Sequence, residues 1–159
     1  MDFVSDQLFD GRRFRALTLV DNYSRECLEI EVGQNLKGID VVAVMERIKV
    51  LRGVVPQRIQ CDNGSEFISK ALDKWAYDNQ VTLDFSRPGK PTDNPFIESF
   101  NGSFRDECLN ETLFSSMVEA RDRINAWKED YNTHRPHSSL GNLTPYEFAN
   151  KPALEKLAA

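Results

Sequence analysis

The hydrophobic period of this chain changes once, and that change limits the folds open to it. Up to Gly33 apolar residues recur at alternate positions, whereas from Lys37 onward they recur at helical spacing, interrupted by two short runs that read as strands. Residues 1–8 and 12–21 flank Phe9-Asp10-Gly11 and predict a β-hairpin that turns at Asp10-Gly11, with Phe14, Ala16 or Leu17 and Leu19 alternating in its second arm. Cys27, Leu28, Ile30 and Val32 predict a third strand, stopped by Gly33. Three antiparallel strands in sequence make a meander.

The helical part opens with Ile39, Val42 or Ala43, Glu46 and Val50, joined by Met45 and Ile48, and ends at Arg52-Gly53 before Pro56. Residues 57–62 form the next expected strand, after which Ser65 is expected to cap a helix that turns Phe67, Leu72, Trp75 and Ala76 inward. Residues 81–85 read as a fifth strand. The run 87–95, with three prolines and a glycine, reads as a loop, and Asn94-Pro95 is placed to start a helix. In that helix Ile97, Phe100, Phe104 and Cys108 share one stripe, while Glu98, Asn101 and Arg105 run along its flank. Ser116-x-x-Glu119 is a capping-box pattern opening a last long helix with Ala120, Ile124, Trp127 and Tyr131 in register. The order β-β-β-α-β-α-β-α-α predicts an α/β protein of RNase H-like fold, a mixed five-stranded sheet flanked by helices.

With 159 residues and 40% hydrophobic content the chain suits one domain with a proper core. A net charge of −5 has the wrong sign for a free-standing nucleic-acid binder, so any DNA contact must be local or assisted by metal. Cys27, Cys61 and Cys108 are widely spaced and odd in number, which excludes a disulfide framework or a zinc knuckle and fits a reduced cytosolic compartment. No run approaches the roughly 18–20 apolar residues of a membrane span. Tyr23, Trp75 and Trp127 sit in strand and helix patterns that assign them to core packing. Residues 1–150 form the expected domain, and 151–159 read as an appended tail.

Divalent cations such as magnesium take carboxylate oxygens, usually from only one or two side chains per ion. Among 25 acidic residues any single aspartate is first a solvated surface group. Asp62 stands out because it ends an apolar strand just before Asn63-Gly64, although an Asx-turn explains the same placement. Asp2 sits inside an alternating strand pattern, and Glu98 lies in the first turns of a helix, where an acid also favours the helix dipole.

Met1-Asp-Phe-Val-Ser-Asp6, Asp62-Asn-Gly-Ser-Glu-Phe67, Asn94-Pro-Phe-Ile-Glu98-Ser-Phe-Asn101 and Tyr131-Asn-Thr-His-Arg-Pro-His137 together resemble, in order, the catalytic domain of DDE transposases and retroviral-type integrases. The bacterial IS3-group transposases are the nearest likeness. Thirty-five residues separate Asp62 from Glu98, the interval of that superfamily. The resemblance implies a bacterial, cytoplasmic enzyme of DNA cleavage and strand transfer, with Asp2, Asp62 and Glu98 holding two Mg²⁺ or Mn²⁺ ions.

Asp6 competes with Asp2 for the first position and shares its strand face. Lys90, Asn101 and Arg105 are the candidate DNA contacts, and Asn63, Gly64 and Ser65 shape the turn beside Asp62. The resemblance further implies a homo-oligomer acting on element ends and target DNA, and a helix-turn-helix DNA-binding region that is absent from these residues. His134, Arg135 and His137 match the family's C-terminal signature and are not read as metal ligands. The alternatives are a plain RNase H-type nuclease and a non-catalytic oligomerisation fragment.

Overall fold

The computed structural model describes the chain except at positions 88, 91, 92 and 159, and the backbone alone at 152–158; the loop expected over 87–95 therefore falls partly outside the described residues. Strands β1 (Asp2–Gln7), β2 (Arg13–Val20) and β3 (Cys27–Gly33) form the expected antiparallel meander, with Asp2 opposite Thr18. The hairpin closes where predicted. Gly11 takes a positive φ of 84°, and the Asp10 carboxylate accepts the Arg12 backbone N–H at 3.0 Å.

Strands β4 (Arg58–Cys61) and β5 (Thr82–Phe85) pair in parallel, Ile59 opposite Leu83. The five expected strands thus lie in two hydrogen-bonded sheets rather than in one continuous ladder. Between them the Met1 nitrogen donates to the Gln60 carbonyl at 2.7 Å. This bond at the strand ends joins the sheets without extending the ladder.

Helices cover both faces of the meander, and the central position of β2 explains its near-continuous apolar sequence. Its Phe14 and Ala16 enter one core with Val4, Ile30 and Val32, closed by helices α3 (Pro95–Phe104) and α4 (Met117–Thr133). Its Leu17 and Leu19 enter a second core with Cys61, Phe67 and Trp75, closed by helices α1 (Gly38–Arg52) and α2 (Lys70–Asp78). All three cysteines are free and buried. A final helix, α5 (Pro145–Ala158), runs on through the residues read as a tail and packs against α4.

Several local expectations are corrected. In α1 the buried residues are Gly38, Val41, Val44, Met45 and Ile48, whereas Ile39 and Val50 are 68% and 77% exposed. The helix has apolar residues on several sides, so periodicity alone could not say which stripe meets the sheet. Helix α2 is capped by Ser69, whose hydroxyl accepts the Leu72 N–H, and not by Ser65. Residues 64–68 are spent on a turn that drives Phe67 into the core, with the Phe67 and Ile68 amides donating to the Gly64 carbonyl.

Asn94 precedes α3 as expected but makes no side-chain cap. Ser116 does cap α4, while Glu119 reaches Ser115 instead of completing the box on Ser116. Tyr23 is 77% exposed against Phe148, so its assignment to the core fails, whereas Trp75 is buried and Trp127 packs against the first core.

Asn132 ties α4 to the sheet. Its amide donates to the Cys27 carbonyl at 2.9 Å and accepts the Cys27 N–H at 2.8 Å, acting on β3 as another strand's backbone would. Asn132→Leu leaves both buried backbone groups without a partner and is expected to lower the unfolding free energy by roughly 2–4 kcal/mol. Urea denaturation monitored by circular dichroism measures the loss.

Candidate active site

Asp2, Asp62 and Glu98 line one cleft of about 460 Å³, together with Met1, Asn63 and Lys90. Each arrives from a different element: Asp2 from the first residue of β1, Asp62 from the end of β4, Glu98 from the first turn of α3. They share the cleft without converging on one point, and among the described residues no three His, Cys, Asp or Glu side chains stand close enough to hold an ion together. Asp2 is half-buried, and Asp62 and Glu98 are exposed.

Asp2 is the most firmly held of the three. Its Oδ1 accepts the Phe3 N–H at 2.7 Å, and its Oδ2 accepts Asn101 Nδ2 at 2.9 Å. Thr18, across the hairpin from Asp2 and fully buried, points its hydroxyl at Asn101 Oδ1 at 2.9 Å, which leaves the amide nitrogen to face the carboxylate. Burial pushes the Asp2 carboxyl above the ordinary aspartate value and the negative charge of Asp62 adds to this, while the bonds from Phe3 and Asn101 oppose it.

The Asp62 turn is shaped from both sides. Asp62 Oδ1 accepts the Gly64 N–H at 2.8 Å, and a Cβ at position 64 would stand 2.9 Å from that same oxygen. Asn63 donates to the Ser86 carbonyl at 2.7 Å and anchors the turn to the residue after β5. Three residues after Asn63, Glu66 pairs with Arg15 of β2, whose guanidinium lies 4.0 Å from the Phe3 ring centroid. Phe67 stacks on Phe3 at 5.2 Å, so the residues adjoining Asp2 and Asp62 are packed together. Ser65 is exposed and bonds Glu66.

The remaining candidates divide. Lys90 is exposed at the cleft. Arg105 does not line it: the guanidinium donates to the Ser5 carbonyl at 2.6 Å and pairs with Asp6 at 3.6 Å, which also accounts for Asp6. Arg105 opens a π-helical turn, Arg105–Leu109, that follows α3. His134 and Arg135 lie outside the cleft, His134 near Asp130 and Arg135 paired with Glu107, and His137 packs on Tyr131.

Residues 1–91 match the profile of the integrase core domain, and residues 79–145 match a second integrase core domain profile. The chain belongs to the integrase core family. An insertion element IS407 protein of Burkholderia multivorans is 50% identical over 95% of the chain and 54% of its own length. The transposase InsK of insertion element IS150 in Escherichia coli, so named as putative, is 21% identical over 97% of the chain and 55% of its own length.

The integrase core thus spans about half the length of these relatives. The catalytic core of HTLV-2 integrase in complex with magnesium superimposes with a TM-score of 0.69 at 15% identity, covering 92% of this chain and 94% of that one. The core of BIV integrase gives 0.68 at 16% identity over 98% and 96%. The fold is the RNase H-like one that the order of elements predicts.

The sequence of this integrase core does not by itself mark the Arg15–Glu66 pair as part of the site. Thr18 does leave a trace in sequence, a hydroxyl inside the apolar run Ala16-Leu-Thr-Leu-Val20. Because the folded chain raises the Asp2 pKa, it holds that proton more tightly than the unfolded chain does. Stability therefore falls as pH rises from the unfolded value of about 3.8 through the raised one. Asp2→Asn is expected to remove this fall, so that in EDTA its advantage over wild type is present at neutral pH and absent below that window; urea titrations across pH read it.

Proposed function

We propose that this integrase core is the catalytic domain of a DDE transposase of the IS3-group type, which cleaves DNA at insertion-element ends and joins the freed strand to target DNA. The observation that carries the reading is the single cleft lined by Asp2, Asp62 and Glu98. Carboxylate oxygens are the donors that hard divalent cations take, and three of them share this cleft, so the residues present fit such a group by donor type, with Glu98 having to draw toward Asp2 and Asp62 for all three to hold it.

Asp2, Asp62 and Glu98 would hold two Mg²⁺ or Mn²⁺ ions, which when bound supply activation of the attacking oxygen and stabilisation of the leaving one. The chain's own part is positioning. Asn101 and the Phe3 N–H fix both oxygens of Asp2. The Gly64 N–H fixes one oxygen of Asp62. Lys90 meets a phosphate at the rim. Asn101 and Arg105, the other proposed DNA contacts, already bond Asp2 and the β1 strand, so they act on DNA chiefly by holding the wall against which it lies.

In the first step water attacks the phosphodiester and releases a 3′-hydroxyl; in the second that hydroxyl attacks target DNA. Association of several copies on DNA is part of the proposal, supported by the trimeric and dimeric forms named for HTLV-2 integrase cores. No helix among the described residues is long and apolar enough to cross a membrane, which accords with action on DNA in a bacterial cytoplasm.

Isothermal calorimetry with MnCl₂ tests the cleft directly. Wild type is expected to bind Mn²⁺, and Asp62→Asn to weaken binding at least tenfold, about 1.4 kcal/mol or more. Cleavage of a labelled element-end duplex, expected to be weak for this core alone, is expected to vanish in the same variant. Mn²⁺ binding that is absent in wild type, or unchanged by Asp62→Asn, rejects the reading in favour of a non-catalytic fragment. Cleavage of RNA–DNA hybrids without action on element ends favours a plain nuclease.

A further inference from the structure

The stretch from Tyr131 to His137 forms part of a second cavity, which the cleft does not use. It measures about 550 Å³, and α3 separates it from the cleft: Asn94, Ile97 and Glu98 line the cleft, whereas Phe96, Ser99 and Ser103 line the cavity. Arg25 and Arg135 also line it, with His137, Tyr131, Ser138 and Ser139, and among the described residues no Asp or Glu does. In a chain with 25 acids against 20 bases, a hollow walled by two guanidiniums and five hydroxyls is a local reversal of charge.

The cationic groups are held in place. Arg25 has a positive φ of 61°, and its guanidinium lies 3.5 Å from the Phe96 ring centroid with one nitrogen donating to the Asn22 carbonyl. Arg135 lies 5.8 Å from the Tyr131 ring centroid and pairs with Glu107, which does not line the cavity. A guanidinium has five N–H donors, so neither contact exhausts its arginine.

His137 stacks edge-on against Tyr131 at 5.1 Å, and its backbone N–H donates to the Leu143 carbonyl. Its Nε2 is buried with no hydrogen-bond partner among the described residues. Burial, then Arg135 and Arg25, hold the imidazole below its ordinary pKa. A neutral imidazole with its proton on Nε2 offers one donor to an anion. Buried polar atoms are normally paired, so an orphaned one beside two arginines marks a place for a ligand.

We infer that this cavity binds a phosphate of the DNA backbone through Arg25, Arg135 and His137, beside the strand engaged in the cleft. An α-helix with its side chains is only about 10–12 Å across, so a strand that crosses α3 from the cleft presents phosphates to both sides. The volume admits a phosphodiester with parts of its flanking sugars. The inference rests on DNA being the substrate, and it explains how an acidic domain holds a polyanion: by a second cationic point rather than by net charge.

Fluorescence anisotropy of a labelled duplex, titrated with the whole chain across a salt series in EDTA, tests the site without any contribution from metal. Arg25→Gln and Arg135→Gln are each expected to weaken binding several-fold and to flatten the log–log salt slope by about 0.9, as for one lost phosphate contact. Glu107→Gln, which releases Arg135, is expected to tighten binding, a gain that a misfolded variant does not produce. Arg123→Gln, an exposed cation of α4 paired with Glu119, is expected to change nothing.

Nitrogen NMR of the imidazoles is expected to show His137 responding to duplex in wild type and not in Arg135→Gln. The inference is overturned if wild type binds no duplex, or if neither arginine variant alters affinity or slope. A His137 signal that responds to inorganic phosphate but not to duplex also overturns it. Mn²⁺ calorimetry on the same proteins separates the two readings. Arginine-dependent DNA binding without Mn²⁺ binding supports the cavity and rejects the cleft; intact Mn²⁺ binding with unaltered DNA affinity in both arginine variants rejects the cavity alone.

Discussion

The partial burial of the Asp2 carboxylate beside a second carboxylate, Asp62, is the constraint that the rest of the structure is arranged around. Taking a carboxylate partly out of water costs the fold free energy, and the raised pKa of Asp2 is the sign of it, with the charge of Asp62 adding a smaller part. What holds them there is packing one residue away and several residues away. Phe3 stacks on Phe67, Arg15 spans from the Phe3 ring to Glu66, and the Met1 nitrogen bonds Gln60 two residues before Asp62. The apolar contacts and the ion pair fix the backbone on either side, and the charges follow.

The two sheets make sense in the same terms. The meander offers a stiff platform with helices on both faces, and the parallel pair β4–β5 delivers Asp62 at its end, where open α/β sheets present ligands. Beside the Met1–Gln60 bond at the cleft, the groups that complete the junction are side chains. Asn22, just after β2, donates to Gln60 of β4 at 2.7 Å, and Arg15 of β2 pairs with Glu66 beyond β4. Asn132 does the comparable service at the far edge of β3.

Helix α3 separates two environments of opposite character. One flank carries Glu98 and Asn101 toward carboxylates; the other carries Ser99 and Ser103 toward arginines and an orphaned histidine nitrogen. Its apolar stripe, Ile97, Phe100 and Phe104, buries the side between them and sets the rotation of the helix. A helix anchored by Phe100 and Phe104 against Trp127 and Tyr131 has little freedom to turn either flank away.

By itself the sequence determined the order of the five strands and of the first four helices, though not the fifth helix, together with the hairpin turn at Gly11, the stripe of α3 and the interval from Asp62 to Glu98. These depend on local periods, on one residue's backbone freedom and on counting. The tertiary structure decided which face of α1 is buried, that Ser69 rather than Ser65 caps α2, and that Arg105 bonds β1 rather than lining the cleft. It alone showed that Thr18 and Asn101 orient Asp2, and that the family-like stretch at Tyr131 to His137 forms part of a cationic cavity. Those outcomes depend on partners up to a hundred residues apart, such as Arg105 with Ser5, and a polar side chain carries no local mark of the partner it will meet.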